Sequence, residues 1–134
     1  MSLPPETESS NQMPWEAGTT RVFGVIAHPV DHVRAPMVFN PRFAAVGLPH
    51  IMVPINAPPE KLESIINALR AMPNFGGLAV TIPHKMPLAK LCDSLGTAAL
   101  LTGAVNAVRF DDDGTMHGDN FDGAGFVAGA IGNG

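Results

Sequence analysis

Two short stretches of the chain carry residue types suited to moving a proton. The first is Val80-Thr81-Ile82-Pro83-His84-Lys85, which sets a hydroxyl, a rigid turn and a primary amine in succession. A lysine at a partly enclosed strand end acts as general acid or base, because burial lowers its pKa toward neutrality. The plainer reading is a surface lysine that begins a helix. The second stretch is Gly118-Asp119-Asn120-Phe121-Asp122-Gly123. Asp122 precedes an apolar segment and so suits a helix N-cap. Set opposite a lysine, the same carboxylate completes a proton-transfer pair in which each charge adjusts the other. Asn106 interrupts the apolar run Gly103–Val108 and needs partners if buried, either as a structural tie or as a ligand donor.

Several other chemistries are disfavoured. The histidines at 28, 32, 50, 84 and 117 have no metal-ligand spacing, since Pro29 breaks the helix that would align His28 with His32, and no metal site is expected. Gly123 and Gly125 form a G-x-G, but no strand leads directly into it and the third glycine is displaced. A dinucleotide site in this chain is therefore rejected. The single cysteine, Cys92, excludes an internal disulfide and reads as a small buried hydrophobe in the apolar stretch Leu88–Leu95. A reduced, cytoplasmic setting fits that cysteine usage.

Eight Lys and Arg are scattered against twelve Asp and Glu, a formal charge of −4, and Tyr is absent. No basic patch or aromatic platform for nucleic acid is visible, and an anionic membrane surface is disfavoured. No apolar run reaches the 18 or so residues of a membrane span. The polar, acidic start, residues 1–18, lacks the layout of a signal peptide and is expected to be a disordered or loosely ordered lead-in. With 134 residues, 46% of them hydrophobic, one domain over residues 19–134 is expected, able to bury its own core.

The elements that must position these residues follow from pattern. Arg21–Ala27 reads as a buried strand, and His28–Pro36 as a loop. Pro36 suits the first turn of a helix bearing Met37, Phe39, Phe43 and Val46, which Pro41 should kink or start late and Gly47 should close. His50–Ile55 is a strand that Pro54 sends to an edge. After Pro58-Pro59-Glu60, the spacing of Leu62, Ile65, Ile66, Leu69 and Met72 predicts an amphipathic helix that Pro73-Asn74 ends. Gly76–Ile82 is a central strand, Leu88–Leu95 and Thr97–Thr102 are short helices, and Gly103 closes the second. Val105–Phe110 and Thr115–Gly118 flank an Asp-Gly hairpin turn, and Asp122–Ile131 is a helix. Strands alternating with helices predict an α/β fold, a three-layer αβα sandwich around a mainly parallel sheet with one antiparallel hairpin strand. Ligands of such sheets sit outside the carboxyl ends of the strands.

The motifs Gly24-x-x-x-x-Pro29-x-x-His32 leading to Pro36 and Asn40, Val80–Lys85, Gly103-Ala104-Val105-Asn106 and Gly118-x-Asn120-x-Asp122-Gly123-x-Gly125-Phe126 run in register. Together they resemble the N-terminal, substrate-binding domain of the shikimate dehydrogenase family, from about Arg21 to Phe126. The resemblance implies hydride transfer between NADP, less often NAD, and a ring hydroxyl or ketone. It assigns Lys85 and Asp122 to the reacting hydroxyl as catalytic residues, and Thr81 and Asn106 to the substrate pocket.

The family's first loop usually reads His-Ser-x-Ser-Pro, with two serine hydroxyls on the substrate carboxylate. Here it reads His32-Val33-Arg34-Ala35-Pro36. Ala79 stands where an asparagine or serine is usual, Ala107 follows Asn106 in place of threonine, and Phe121 replaces the threonine before Asp122. Val33, Ala35 and Ala79 therefore predict a less polar pocket and an altered substrate preference. Arg34 is the one nearby cation, and in the family that position points away from the ligand. The family's following Rossmann domain, with its NADP site, is expected to be absent from this chain, which alone should be inactive. The expectation is thus the substrate domain of an oxidoreductase that takes a small-molecule substrate, with a homodimer left open. The alternative is a non-catalytic small-molecule-binding module that kept the fold.

Overall fold

The computed structural model describes residues 17–121. Most of the lead-in, and everything from Asp122 onward including the expected helix Asp122–Ile131, lie outside the described residues. In chain order the elements are β1 (Arg21–Ala27), α1 (Ala35–Ala45), β2 (His50–Asn56), a 3-10 turn (Pro59–Lys61) running into α2 (Leu62–Arg70), β3 (Phe75–Val80), α3 (Lys85–Leu91), β4 (Ser94–Leu95), α4 (Thr97–Thr102), β5 (Ala107–Phe110) and β6 (Met116–Asp119).

The six strands form one sheet in the order β2-β1-β3-β5-β6-β4. β1 pairs in parallel with β2 and β3, and β4 in parallel with β6, while β5 is antiparallel to both its neighbours. One strand is therefore reversed, as expected, and it is the first arm of the Asp-Gly hairpin. Its return arm, β6, runs with the parallel set. Period-two alternation on β1 builds the layers. Ile26 joins Leu78, Val108 and Met116 under α2, α3 and α4, whose Leu62, Ile66, Leu88 and Ala99 are buried there. Val25 faces the other way and packs with Met52 against Phe39 and Phe43 of α1.

Helix α1 corrects the expectation of a late start, since it begins at Ala35 and runs through Pro41. The lost backbone bond is offset by Phe39 and Phe43, buried on either side of the proline, and by Asn40. The Asn40 amide donates to the Met52 carbonyl at 3.0 Å and accepts the Met52 N–H at 2.7 Å, so it pairs with the outer edge of β2. β2 is the sheet edge that Pro54 predicted. Gly47 and Gly103 follow α1 and α4 in the left-handed region, at φ +75° and +71°, as C′ glycines should.

The second correction concerns Leu88–Leu95. Helix α3 ends at Leu91, Cys92 turns extended at ψ 144°, and Ser94–Leu95 becomes β4. An apolar run of eight residues suits helix or strand alike, and the open edge of β6 decided the outcome, with Ser94 opposite His117 and Leu95 opposite Gly118.

Strands β3 and β5 approach closely at Gly77, where a Cβ would lie 2.6 Å from the Val108 carbonyl oxygen. That neighbour is backbone and cannot swing aside. Gly77→Ala is expected to destabilise the chain by about 1–3 kcal/mol, read as a lower urea midpoint at constant m. An unchanged midpoint would contradict the close approach.

Candidate functional site

The parallel strands β1, β2 and β3 all deliver their carboxyl ends to one edge of the sheet. Ala27 lies opposite Asn56, and Ile26 opposite Val80. Because β5 is reversed, its first residue, Ala107, pairs with Ala79 at that same edge and with Asp119 at the end of β6. This topology gathers the loop after β1, the turn after β3, Asn106 and the segment Asp119–Phe121. Pairing one antiparallel strand into a parallel set is what adds Asn106 to the strand ends.

Backbone bonds stitch the edge together. The Thr81 N–H donates to the Ile26 carbonyl at 3.2 Å and the His28 N–H to Ile82 at 3.3 Å, joining the exits of β1 and β3. The Ala57 N–H donates to Ala27 at 3.0 Å, joining β2 to β1. The His28 Nδ1–H also donates to Asn56 Oδ1 at 2.9 Å. The peptide bonds before Pro29 and Pro83 are cis.

Lys85 is the first residue of α3, and its side chain is exposed. The described residues do not enclose it, so of the two sequence readings they match the surface lysine that begins a helix. Its carbonyl accepts the Val105 N–H at 3.0 Å, which links the turn to the residue before Asn106. Thr81 is half-buried, and its carbonyl accepts the His84 N–H at 2.9 Å, closing the turn.

Asn106 is tied on every side. Its carbonyl accepts the Val80 N–H at 2.9 Å, and its N–H donates to Asp119 at 3.0 Å. Its side-chain amide holds the backbone of Phe121, donating to the carbonyl and accepting the N–H at 2.8 Å. Both readings of Asn106 thus have a physical basis. The tie is made, and the amide still has one N–H and one oxygen lone pair to give a ligand. Asp122, the next residue but one to Asn120, lies outside the described residues.

Val33, Ala35 and Ala79 are half-buried and pack against one cluster, that of Val25, Phe39, Phe43 and Met52. The structure therefore brings together the three positions read from sequence as an apolar wall. Arg34 between them is exposed.

Sequence reasoning gave His84 no role beyond the motif. It is fully buried, and its Nε2–H donates to the Ala57 carbonyl at 2.7 Å. Burial pushes its imidazole below the ordinary histidine value, partly opposed by the Ala57 carbonyl and reinforced by nearby His28. The one signal for it was a histidine placed inside a turn between Pro83 and Lys85.

Cys92 is half-buried with its thiol on the Leu88 carbonyl at 3.4 Å. Burial first, then the Asp93 charge, raise it to about 11, against the pull of Arg70. It stays protonated at neutral pH and is no nucleophile there. Alkylation of native chain at pH 7.5 should run about 10-fold slower than of denatured chain, the greater intrinsic reactivity of a high-pKa thiolate offsetting part of its scarcity. Equal rates would show an open, ordinary thiol.

Among the described residues no three His, Cys, Asp or Glu side chains gather to hold a metal, and no helix is long and apolar enough to cross a membrane.

Comparison with known proteins fits this geometry. Residues 25–108 match the family model for the shikimate dehydrogenase substrate binding domain. The chain is 46% identical over 110 residues to a shikimate dehydrogenase (NADP(+)) of Rubrobacter xylanophilus, covering 82% of this chain and 38% of that protein. It is 44% identical over 110 residues to one of Methanopyrus kandleri, covering 81% of this chain and 37% of that protein. The fold superposes on the shikimate 5-dehydrogenase of Listeria monocytogenes, solved with shikimate and NAD, at a TM-score of 0.74 with 35% identity, covering 87% of this chain and 40% of that one. The chain thus spans less than half the length of these relatives.

Proposed function

The chain belongs to the shikimate dehydrogenase family, whose substrate-binding domain it matches, and from that premise we propose that it forms the substrate pocket of an NADP-linked oxidoreductase with an altered substrate preference. The reaction is hydride transfer between the cofactor and a ring carbon bearing a hydroxyl or a ketone. Lys85 and Asp122 are the residues we assign to the proton of that oxygen, the Lys85 ammonium supplying it to the forming alkoxide in the reduction direction. Thr81 and the free valences of Asn106 bind the neighbouring ring hydroxyls.

The described residues offer the cofactor no cradle. No strand-to-helix turn among them carries a G-x-G-x-x-G spacing. A cofactor domain elsewhere in the protein would hold it, and a cytoplasmic setting suits the family and the reduced cysteine.

One observation carries the altered preference. Val33, Ala35 and Ala79 pack against the same apolar cluster beneath α1, and the resemblance puts the family's two carboxylate-binding hydroxyls at the Val33 and Ala35 positions, with Ala79 beside them. A carboxylate set against those methyl groups loses water and gains no donor, at a cost of several kcal/mol. The pocket therefore favours a ring compound that is uncharged at that pole. The test is a screen of ring acids and neutral ring alcohols with NADP and NAD, using protein that carries this chain and a cofactor domain. Turnover of a neutral ring alcohol ahead of shikimate is expected. Shikimate as the best substrate would sink the altered preference, and no NAD(P)-linked turnover of any ring compound would sink the enzyme reading.

A further inference from the structure

We propose that His84 is the positioning residue that holds Lys85 in place, through a tether from its imidazole to the Ala57 carbonyl. The inference rests on the reading of Lys85 as the proton-carrying residue. His84 is 0% exposed, while Ile82 and Met86 on either side of the turn are 73% and 61% exposed. A polar ring drawn inward from an otherwise exposed turn loses its water, and the observed bond to Ala57 at 2.7 Å offsets that loss. A carbonyl only accepts, so the shared proton sits on Nε2 and fixes the ring's tautomer.

The tether has a rigid far end. Ala57 is itself fully buried, and its N–H is bonded to Ala27 at the exit of β1. The chain of bonds therefore runs from β1 through the β2 exit to His84, and His84 is covalently joined to Lys85. Beyond Lys85, its carbonyl takes the Val105 N–H at 3.0 Å. The Lys85 backbone is thus held from both sides, by His84 toward the parallel strands and by Val105 toward Asn106. Cutting the His84 tether removes one of those two anchors and leaves Lys85, in the first turn of a seven-residue helix, with the Val105 bond. A proton donor displaced by about 1 Å from its productive position loses on the order of 100-fold in rate.

A space-filling role makes a different prediction. A leucine would fill the pocket without a donor, and a glutamine would return a donor at similar reach. His84→Leu and His84→Gln are therefore compared in two measurements. Amide hydrogen exchange on the 134-residue chain reads the tether alone. In His84→Leu the Val105 amide should exchange at least about 10-fold faster while Leu78 and Val108 in the sheet keep their rates, and His84→Gln should restore Val105. Turnover by protein carrying the cofactor domain reads the consequence, with kcat down at least about 10-fold in His84→Leu, KM within about 3-fold, and recovery in His84→Gln.

Unchanged Val105 exchange in His84→Leu, or a Gln variant as impaired as the Leu variant, overturns the tether. Equal loosening of Val105, Leu78 and Val108 makes His84 a packing residue and overturns it too. If His84→Leu does not fold, His84→Gln still decides, since wild-type Val105 exchange in that variant supports the tether and accelerated exchange overturns it. Absent turnover in wild-type protein overturns the dehydrogenase reading and not the tether, which the exchange measurement reads by itself.

Discussion

Lys85→Ala is expected to lower kcat at least about 100-fold in protein that carries this chain and a cofactor domain, in line with the usual contribution of a positioned acid or base. The size of the effect follows from the lack of a second amine at the proposed site among the described residues, and Asp122, the other residue proposed for that oxygen, carries no amine. His84 is the neighbouring titratable group, but it is fully buried, it is depressed below its ordinary value by that burial, and the proton on Nε2 is engaged by Ala57. Thr81 carries a hydroxyl far too weak an acid to replace an ammonium. The loss should fall mainly on kcat, because the substitution leaves Thr81 and Asn106, the residues proposed to bind the neighbouring hydroxyls, in place. Steady-state kinetics on the ring ketone with the best turnover checks this. Wild-type-like kcat in Lys85→Ala would remove Lys85 from the mechanism.

Shikimate is expected to bind the unmodified chain more weakly than millimolar, and Val33→Ser with Ala35→Ser together should tighten it by about 2–4 kcal/mol. That gain is roughly 30- to 900-fold in Kd. The proposed physical reason is that Val33 and Ala35, with Ala79 beside them, offer carbon in place of the hydroxyl donors a carboxylate needs, and all three pack against the cluster of Val25, Phe39, Phe43 and Met52. Two charge-assisted bonds are worth about 3–6 kcal/mol in principle. Part of that is lost because Val33 packs against the cluster and serine packs less well there. Titration calorimetry on both proteins decides the matter. Micromolar shikimate binding by the unmodified chain would show that Arg34 or a water network has taken over from the missing hydroxyls.

The sequence by itself determined the parts whose physics is local. The apolar runs at Arg21–Ala27 and Gly76–Ile82, the stripe of Leu62, Ile65, Ile66 and Leu69, the turn at Asp113-Gly114, and the closing glycines Gly47 and Gly103 each declare an element through backbone freedom or side-chain period. Those elements, in that order, specify an α/β sheet with one strand reversed. The grouping of Val33, Ala35 and Ala79 was legible too, because their motif places are known for a whole family.

Only the tertiary structure decided what depends on pairing across the sheet. Ser94–Leu95 is a strand because β6 offers an open edge, and nothing in its own residues separates it from the helix before it. Helix α1 survives Pro41 because Asn40 finds Met52, a partner twelve residues away. Asn106 reaches the site because β5 runs backward between β3 and β6. His84 is buried because the exit of β2 brings the Ala57 carbonyl within 2.7 Å of its ring, twenty-seven residues away in sequence. Periodicity and propensity report what a residue prefers among its neighbours along the chain. Which long-range donor meets which carbonyl is fixed only when strands take their order and register.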